Sequence, residues 1–155
     1  MNIPFQQIFI TPLSSIVLAG LCLSGGNALA SCTFANPSPG QLVWDSGTPA
    51  VVTSTGGTAA TVDLTCTDSN AVLSVGLPSN TLGGLTPAGT GLFSSVAWAA
   101  NGGGTATNTD GTTVNDSIGI AVTNEELTIN MTYTANGAIA PGTYQFKVIV
   151  TATYN

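Results

Sequence analysis

The chain has 155 residues with one Lys, no Arg and no His, against seven Asp plus Glu, for a net charge of -6. Phosphate neutralisation requires a basic surface, so a nucleic-acid partner is excluded. The lack of His also excludes Ser–His–Asp and Cys–His nucleophiles and any His-containing zinc site.

Residues 1–30 read as a secretory signal. An apolar stretch over residues 8–23 is followed by small residues ending in Ala28-Leu29-Ala30, an A-x-A cleavage pattern. The leading MNIPFQQ carries no Lys or Arg. Thr11, Pro12, Ser14 and Ser15 interrupt the apolar run, leaving it short of the ~18–20 residues of a membrane span. The expectation is an exported protein, in the periplasm in transit and then at the cell surface, with one domain over residues 31–155.

Of the three cysteines, Cys22 leaves with the signal. Cys32 and Cys66 then make the one possible disulfide, in a compartment where disulfides persist. Leu29-Ala30-Ser31-Cys32 also fits a lipobox, in which Cys32 would carry a lipid and the protein would meet a membrane through it. Both readings stand at this point.

The remaining sequence alternates with period two and shows no sustained helical period. Gln41 to Asp45 is a short strand with Leu42 and Trp44 on one face. Residues 51–58 are rich in Thr and Gly and ambiguous. Ala60, Val62, Leu64 and Cys66 alternate with Thr61, Asp63 and Thr65. After a turn at residues 67–70, Leu73, Val75 and Leu77 continue as a second strand, the two forming a hairpin or a sandwich corner.

Residues 78–91 read as a Gly/Pro loop, and Leu92, Val96 and Trp98 mark the next strand. Residues 100–116 hold almost no large apolar side chain and read as a surface excursion or flap. Ile118, Ile120 and Val122 suggest a short strand and residues 123–125 a turn, after which Leu127, Ile129, Met131 and Tyr133 alternate. The final stretch, GTYQFKVIVTATYN, is the longest alternating run. Tyr144, Phe146, Val148, Val150, Ala152 and Tyr154 share one face, and Lys147 lies on the other. About seven strands separated by turn signals give an all-β, immunoglobulin-like sandwich, complete or incomplete.

Several pieces in order carry a family resemblance: Cys32-Thr33-Phe34, then Val62-Asp63-Leu64-Thr65-Cys66-Thr67, then Val72-Leu73-Ser74-Val75-Gly76-Leu77. Pro141-Gly142-Thr143-Tyr144 and the Val148–Tyr154 run close the series. So arranged, residues 31–155 resemble the spore coat protein U domain, the subunit family of archaic chaperone–usher pili. The resemblance implies a sandwich lacking its last strand, with a groove beside the C-terminal strand. A periplasmic chaperone fills that groove first, and at the usher a neighbouring fibre subunit takes its place. It would make Tyr144, Phe146, Val148, Val150, Ala152 and Tyr154 one groove wall and bring the Asn155 carboxylate to the chaperone. Cleavage after Ala30 leaves only Ser31 ahead of Cys32, so the chain accepts a strand without an evident one to donate. That suggests a tip or terminal position.

Other candidate chemistry is thin, and no cofactor, metal or enzymatic activity is expected. Glu125 and Glu126 are adjacent and read as solvated turn residues. Asn108, Asp110 and Asp116 offer oxygens in one segment but match no calcium-loop spacing. Gly102-Gly103-Gly104 lacks the Lys of a phosphate loop. Trp44 and Trp98 lie on apolar strand faces and read first as core. Trp98, with residues 100–116, is also the possible ligand surface of an alternative: a secreted or lipid-anchored carbohydrate-binding adhesion protein with a self-complete sandwich.

Overall fold

The computed structural model describes residues 8–9, 31–45 and 47–154. The Ala28-Leu29-Ala30 signature, Cys22 and Asn155 lie outside them. The strands are β1 (Ile8–Phe9), β2 (Cys32–Ser38), β3 (Gln41–Trp44), β4 (Val51–Thr58), β5 (Ala60–Cys66), β6 (Ala71–Val75) and β7 (Ser79–Leu82). They continue with β8 (Phe93–Trp98), β9 (Gly104–Thr109), β10 (Thr112–Val114), β11 (Asp116–Ser117), β12 (Val122–Thr134), β13 (Gln145–Lys147) and β14 (Val150–Tyr154). The only helical piece among the described residues is a 3-10 turn over Ala100–Gly102.

The strands form a sandwich of two layers. The larger sheet runs β10-β9-β8-β12-β4-β3, with β5 also on β12 and β2 on β5. Its spine is β12, thirteen residues long. One edge of β12 pairs with β8, from Thr128↔Ala97 to Thr132↔Phe93. The other pairs first with β5, then with β4. The smaller layer consists of the ladders β11-β6-β14 and β1-β13-β7. They meet where the Gly76 N–H donates to the Ile149 carbonyl at 2.8 Å. The layer is therefore two bent strands side by side, residues 71–82 and 145–154. Residues 60–66 and 71–75 sit in different layers, so the polar turn between them is a sandwich corner.

Alternation explains the core. Ala60, Val62, Leu64 and Cys66 are buried from β5 and Leu127, Ile129, Met131 and Tyr133 from β12. Leu73, Val75, Phe146, Val148 and Val150 face them from the other layer. The rings of Tyr133 and Phe146 meet with centroids 4.9 Å apart and planes tilted by 55°. Burying each such side chain contributes about 1.5–3 kcal/mol. Cys32 and Cys66 face one another across β2 and β5 and form the disulfide. Closing a loop of that length stabilises by roughly 3–4 kcal/mol.

Several sequence expectations are corrected. Trp44 is 40% exposed although it stands opposite the buried Val52: its strand is the sheet edge, and of its two apolar positions only Leu42 enters the core. Its Nε1 donates to the Pro49 carbonyl at 3.2 Å. Residues 78–91 contain strand β7, held by Asn80, whose Nδ2 donates to the Leu82 and Gln145 carbonyls while its Oδ1 accepts from the Leu85 N–H. Residues 100–116 are no flap. They form the β9–β10 hairpin, with Ala106 and Asn108 turned into the core.

Residues 118–121 form no strand, for only Ile118 reaches the core while Ile120 is exposed. Residues 123–125 are a bulge inside β12 rather than a turn. Asn124 takes a positive φ of 51° there, which Asn tolerates. The final run is not one strand but two, broken at residues 148–149.

Candidate functional site

The C-terminal edge of the smaller layer is built from β13 and β14. On one side β14 pairs with β6, from Val150↔Val75 to Tyr154↔Ala71, and β13 pairs with β7. On the other side the two strands differ. β13 carries β1 in parallel, with Ile8↔Phe146 and Phe9↔Lys147. β14 ends its ladder, and among the described residues no strand lies beyond it. A terminal strand leaves a row of main-chain N–H and C=O groups open to pairing.

The inward face of this edge grades from closed to open. Tyr144, Phe146, Val148 and Val150 are buried, with Phe146 and Val148 almost fully so. Ala152 and Tyr154 pack against the same core but are only partly covered. Cys32 and Phe34, at the start of β2, are likewise half-buried against it. The Tyr154 hydroxyl donates to Cys32 Sγ at 3.1 Å, so the disulfide end of β2 is the neighbour across from the end of β14. The edge thus has an apolar floor, a disulfide-bound strand near one end and, among the described residues, no strand over Val150–Tyr154.

The lead-in to this edge is tightly set. The Tyr144 hydroxyl donates to the Ala140 carbonyl at 2.8 Å, fixing the turn that launches β13. Gly83, with φ of 101°, lies so close to the Tyr144 ring that any Cβ would enter it. On the other face Lys147 is half-buried and aligned with Ser79 and Phe9.

The remaining candidates fall elsewhere. Trp98 is only 6% exposed. Its ring covers Gly104, where a side chain would collide with it. Beside it lies an open depression of about 420 Å³ lined by Ala97, Trp98, Ala99, Glu125, Glu126 and Thr128. Glu125 is not simply solvated, because its Oε1 accepts the N–H groups of Ala99 and Ala100, each at 2.8 Å. Glu126 stands opposite Asp63 across β12 and β5.

Asn108, Asp110 and Asp116 do not converge as ligands. Asn108 Oδ1 accepts from Gly111 N–H and Asp110 Oδ1 from Leu92 N–H, while the two Asp116 oxygens accept from Thr105 and Ser117. Among the described residues no three His, Cys, Asp or Glu side chains gather as a metal site.

The sequence missed two buried polar residues that shape the site's frame. Ser94 Oγ donates to the Gly76 carbonyl at 2.7 Å and Asn108 Nδ2 to the Val75 carbonyl at 3.0 Å, tying the larger sheet to β6. No protein-family model, curated protein or solved structure matches this chain.

Proposed function

We propose that this protein is an exported structural or adhesive subunit of a chaperone–usher-type surface fibre, taking up a donor strand beside its C-terminal strand. One observation carries the reading. β14 is a terminal strand whose outer edge bears no partner among the described residues, while Ala152 and Tyr154 beneath it, and Phe34 on β2, are apolar and only partly covered. An extended segment laid there would satisfy the main-chain groups of the edge and cover that apolar surface, which is the physics of strand addition. Ile8–Phe9 on the neighbouring β13 supports it, since that edge accepts a strand in parallel. A head-to-tail contact of this kind does not close on itself and grows a fibre.

The partners in this reading are a periplasmic chaperone, the usher and neighbouring subunits. The sulfur of Cys32 is bound to Cys66, and in that state it has no valence for a lipid thioether. The fibre reading therefore takes the disulfide branch.

The test is co-expression of the exported protein with a periplasmic chaperone of the fibre system. The expected result is a stable one-to-one complex, with the chaperone-free protein poorly recovered or associated. Ala152→Asp places a charge on the open part of the floor without entering the closed core. Capture should fall at least tenfold while the far-ultraviolet spectrum is retained. An exported protein that is monomeric and equally stable without any chaperone would overturn the reading.

A second reading is an adhesion protein that binds a neutral sugar. The exposed Trp44 and the depression beside Trp98 favour it. Glycan-array binding lost in Trp44→Ala would support it.

A further inference from the structure

The ladder between β1 and β13 places part of the leader on the C-terminal edge of the smaller layer, over its β13 part. Ile8 lies opposite Phe146 and Phe9 opposite Lys147, in parallel. The stretch from Phe9 to Cys32 can span up to about 75–80 Å when fully extended, so it is long enough for the leader to reach this edge from its own subunit. Its composition suits the place. Ile8, Phe9 and Ile10 are β-branched or aromatic, and residues 1–30 contain no charged side chain. The pairing is also self-limiting. Carried forward in the same register, it would bring Pro12 opposite Val150, and Pro has no N–H to give to a ladder. Among the described residues the ladder is only Ile8 and Phe9 against Phe146 and Lys147, short enough to be displaced, and it lies on β13 rather than β14.

We propose that the Ile8–Phe9 stretch is an intramolecular placeholder. In the unprocessed chain it occupies the edge beside Gln145–Lys147, and removal of the leader exposes that edge to an uncharged, β-branched or aromatic segment of a partner subunit. This rests on the acceptor-edge reading above and adds regulation of the β13 part of that edge: that part is covered by the chain's own leader until processing, while the β14 part carries no partner among the described residues. The register also describes the partner segment, which runs parallel to β13 and sets an apolar residue beside Phe146.

The pairing is tested in the full chain with Cys22→Ser and a cleavage-blocking Ala28→Asp. Phe9→Cys with Lys147→Cys should form an intramolecular disulfide under mild oxidation, read by mass after digestion. Phe9→Cys with Thr153→Cys should give at most a tenth as much. The placeholder role is tested with a labelled peptide of residues 5–11, Phe-Gln-Gln-Ile-Phe-Ile-Thr, as the strand probe. The unprocessed chain should bind it only weakly, through the β14 part of the edge, and Phe9→Pro in the same chain should bind it at least tenfold more tightly. Equal cross-linking at Lys147 and Thr153, or equal probe binding with and without Phe9→Pro, would overturn the proposal. The cross-link depends on pairing alone, and chaperone capture by the processed chain depends on the acceptor edge alone, so the two readings fail separately.

Discussion

Ser54 shows how one side chain settles a local geometry that the sequence leaves ambiguous. β4 and β5 run along the same edge of β12, but the register jumps between Thr53↔Thr132 and Ala60↔Ile129. At that jump the Met131 N–H loses its ladder partner and donates to Ser54 Oγ at 3.1 Å instead. The hydroxyl proton is then available to Asn130 Oδ1 at 3.0 Å or the Met131 carbonyl at 3.3 Å. Ser54→Ala leaves a buried N–H unsatisfied and should cost about 1–3 kcal/mol in urea denaturation, far more than an exposed Ser→Ala. Tyr133 supplies a second residue-scale prediction. Burial raises its phenol above the ordinary value of 10.0 because the phenolate is poorly solvated there. The folded state thus holds this proton at pH values where the unfolded chain has lost it. Stability is intact below pH 10 and falls as pH rises from there through the raised folded value. Tyr133→Phe should flatten that part of the Tm-against-pH curve. The inward position of Tyr133 was legible in the alternation of residues 127–133, but the role of Ser54 was not, because it sits in a Thr/Gly-rich stretch that alternation does not resolve, and Trp44 reads as core on alternation alone. Periodicity assigns faces within a strand, but it is blind to a register shift and to the absence of a covering layer at a sheet edge.

At the level of elements, the strands with large alternating side chains were readable and the polar ones were not. β5, β6 and β12 bury an apolar side chain at nearly every second position, which fixes both strand and face. The β9–β10 hairpin offers only Ala106 and Asn108 to the interior, so an apolar count sees a loop. Its one signal was the Thr–Ala–Thr–Asn–Thr alternation of residues 105–109. What the hairpin gives up in apolar area it regains through hydrogen bonds between layers. Asn108 and Ser94 reach the neighbouring carbonyls of Val75 and Gly76, on the strand paired with β14. Ser94→Ala and Asn108→Ala should each destabilise by about 1–3 kcal/mol. The double variant should lose less than the sum, because either bond alone holds the same turn of β6 against the larger sheet. Strict additivity in denaturant titrations would show that the two bonds act independently. The final run was read correctly as apolar inside and polar outside, yet its break at residues 148–149 was hidden, because a bend that changes ladder partner leaves the alternation intact.

The whole molecule combines a strand edge that bears no partner among the described residues with a strongly one-sided charge, and the two act against each other. An edge such as β14 invites pairing with a second copy, and self-repulsion between chains of net charge -6 opposes it. The repulsion is carried by carboxylates, since the chain's only basic side chain is Lys147. Added salt screens that repulsion and leaves the main-chain groups of the edge unchanged, shortening the screening length from about 8 Å at physiological ionic strength to about 3 Å at 1 M. The exported form, residues 31–155, should therefore associate at pH 7 as salt is added, read by light scattering. Screening would promote contact through any surface, so the discriminating variant is Thr151→Lys with Thr153→Lys, which sets two cations on the outer face of β14. Cations on an edge discourage strand pairing. They also bring the molecule closer to neutrality at pH 7, which by itself would promote association. If association runs through the β14 edge, the double Lys variant stays dispersed even though its net charge is smaller. If the variant instead associates at lower salt than the parent, net charge governs association and the edge is not its site.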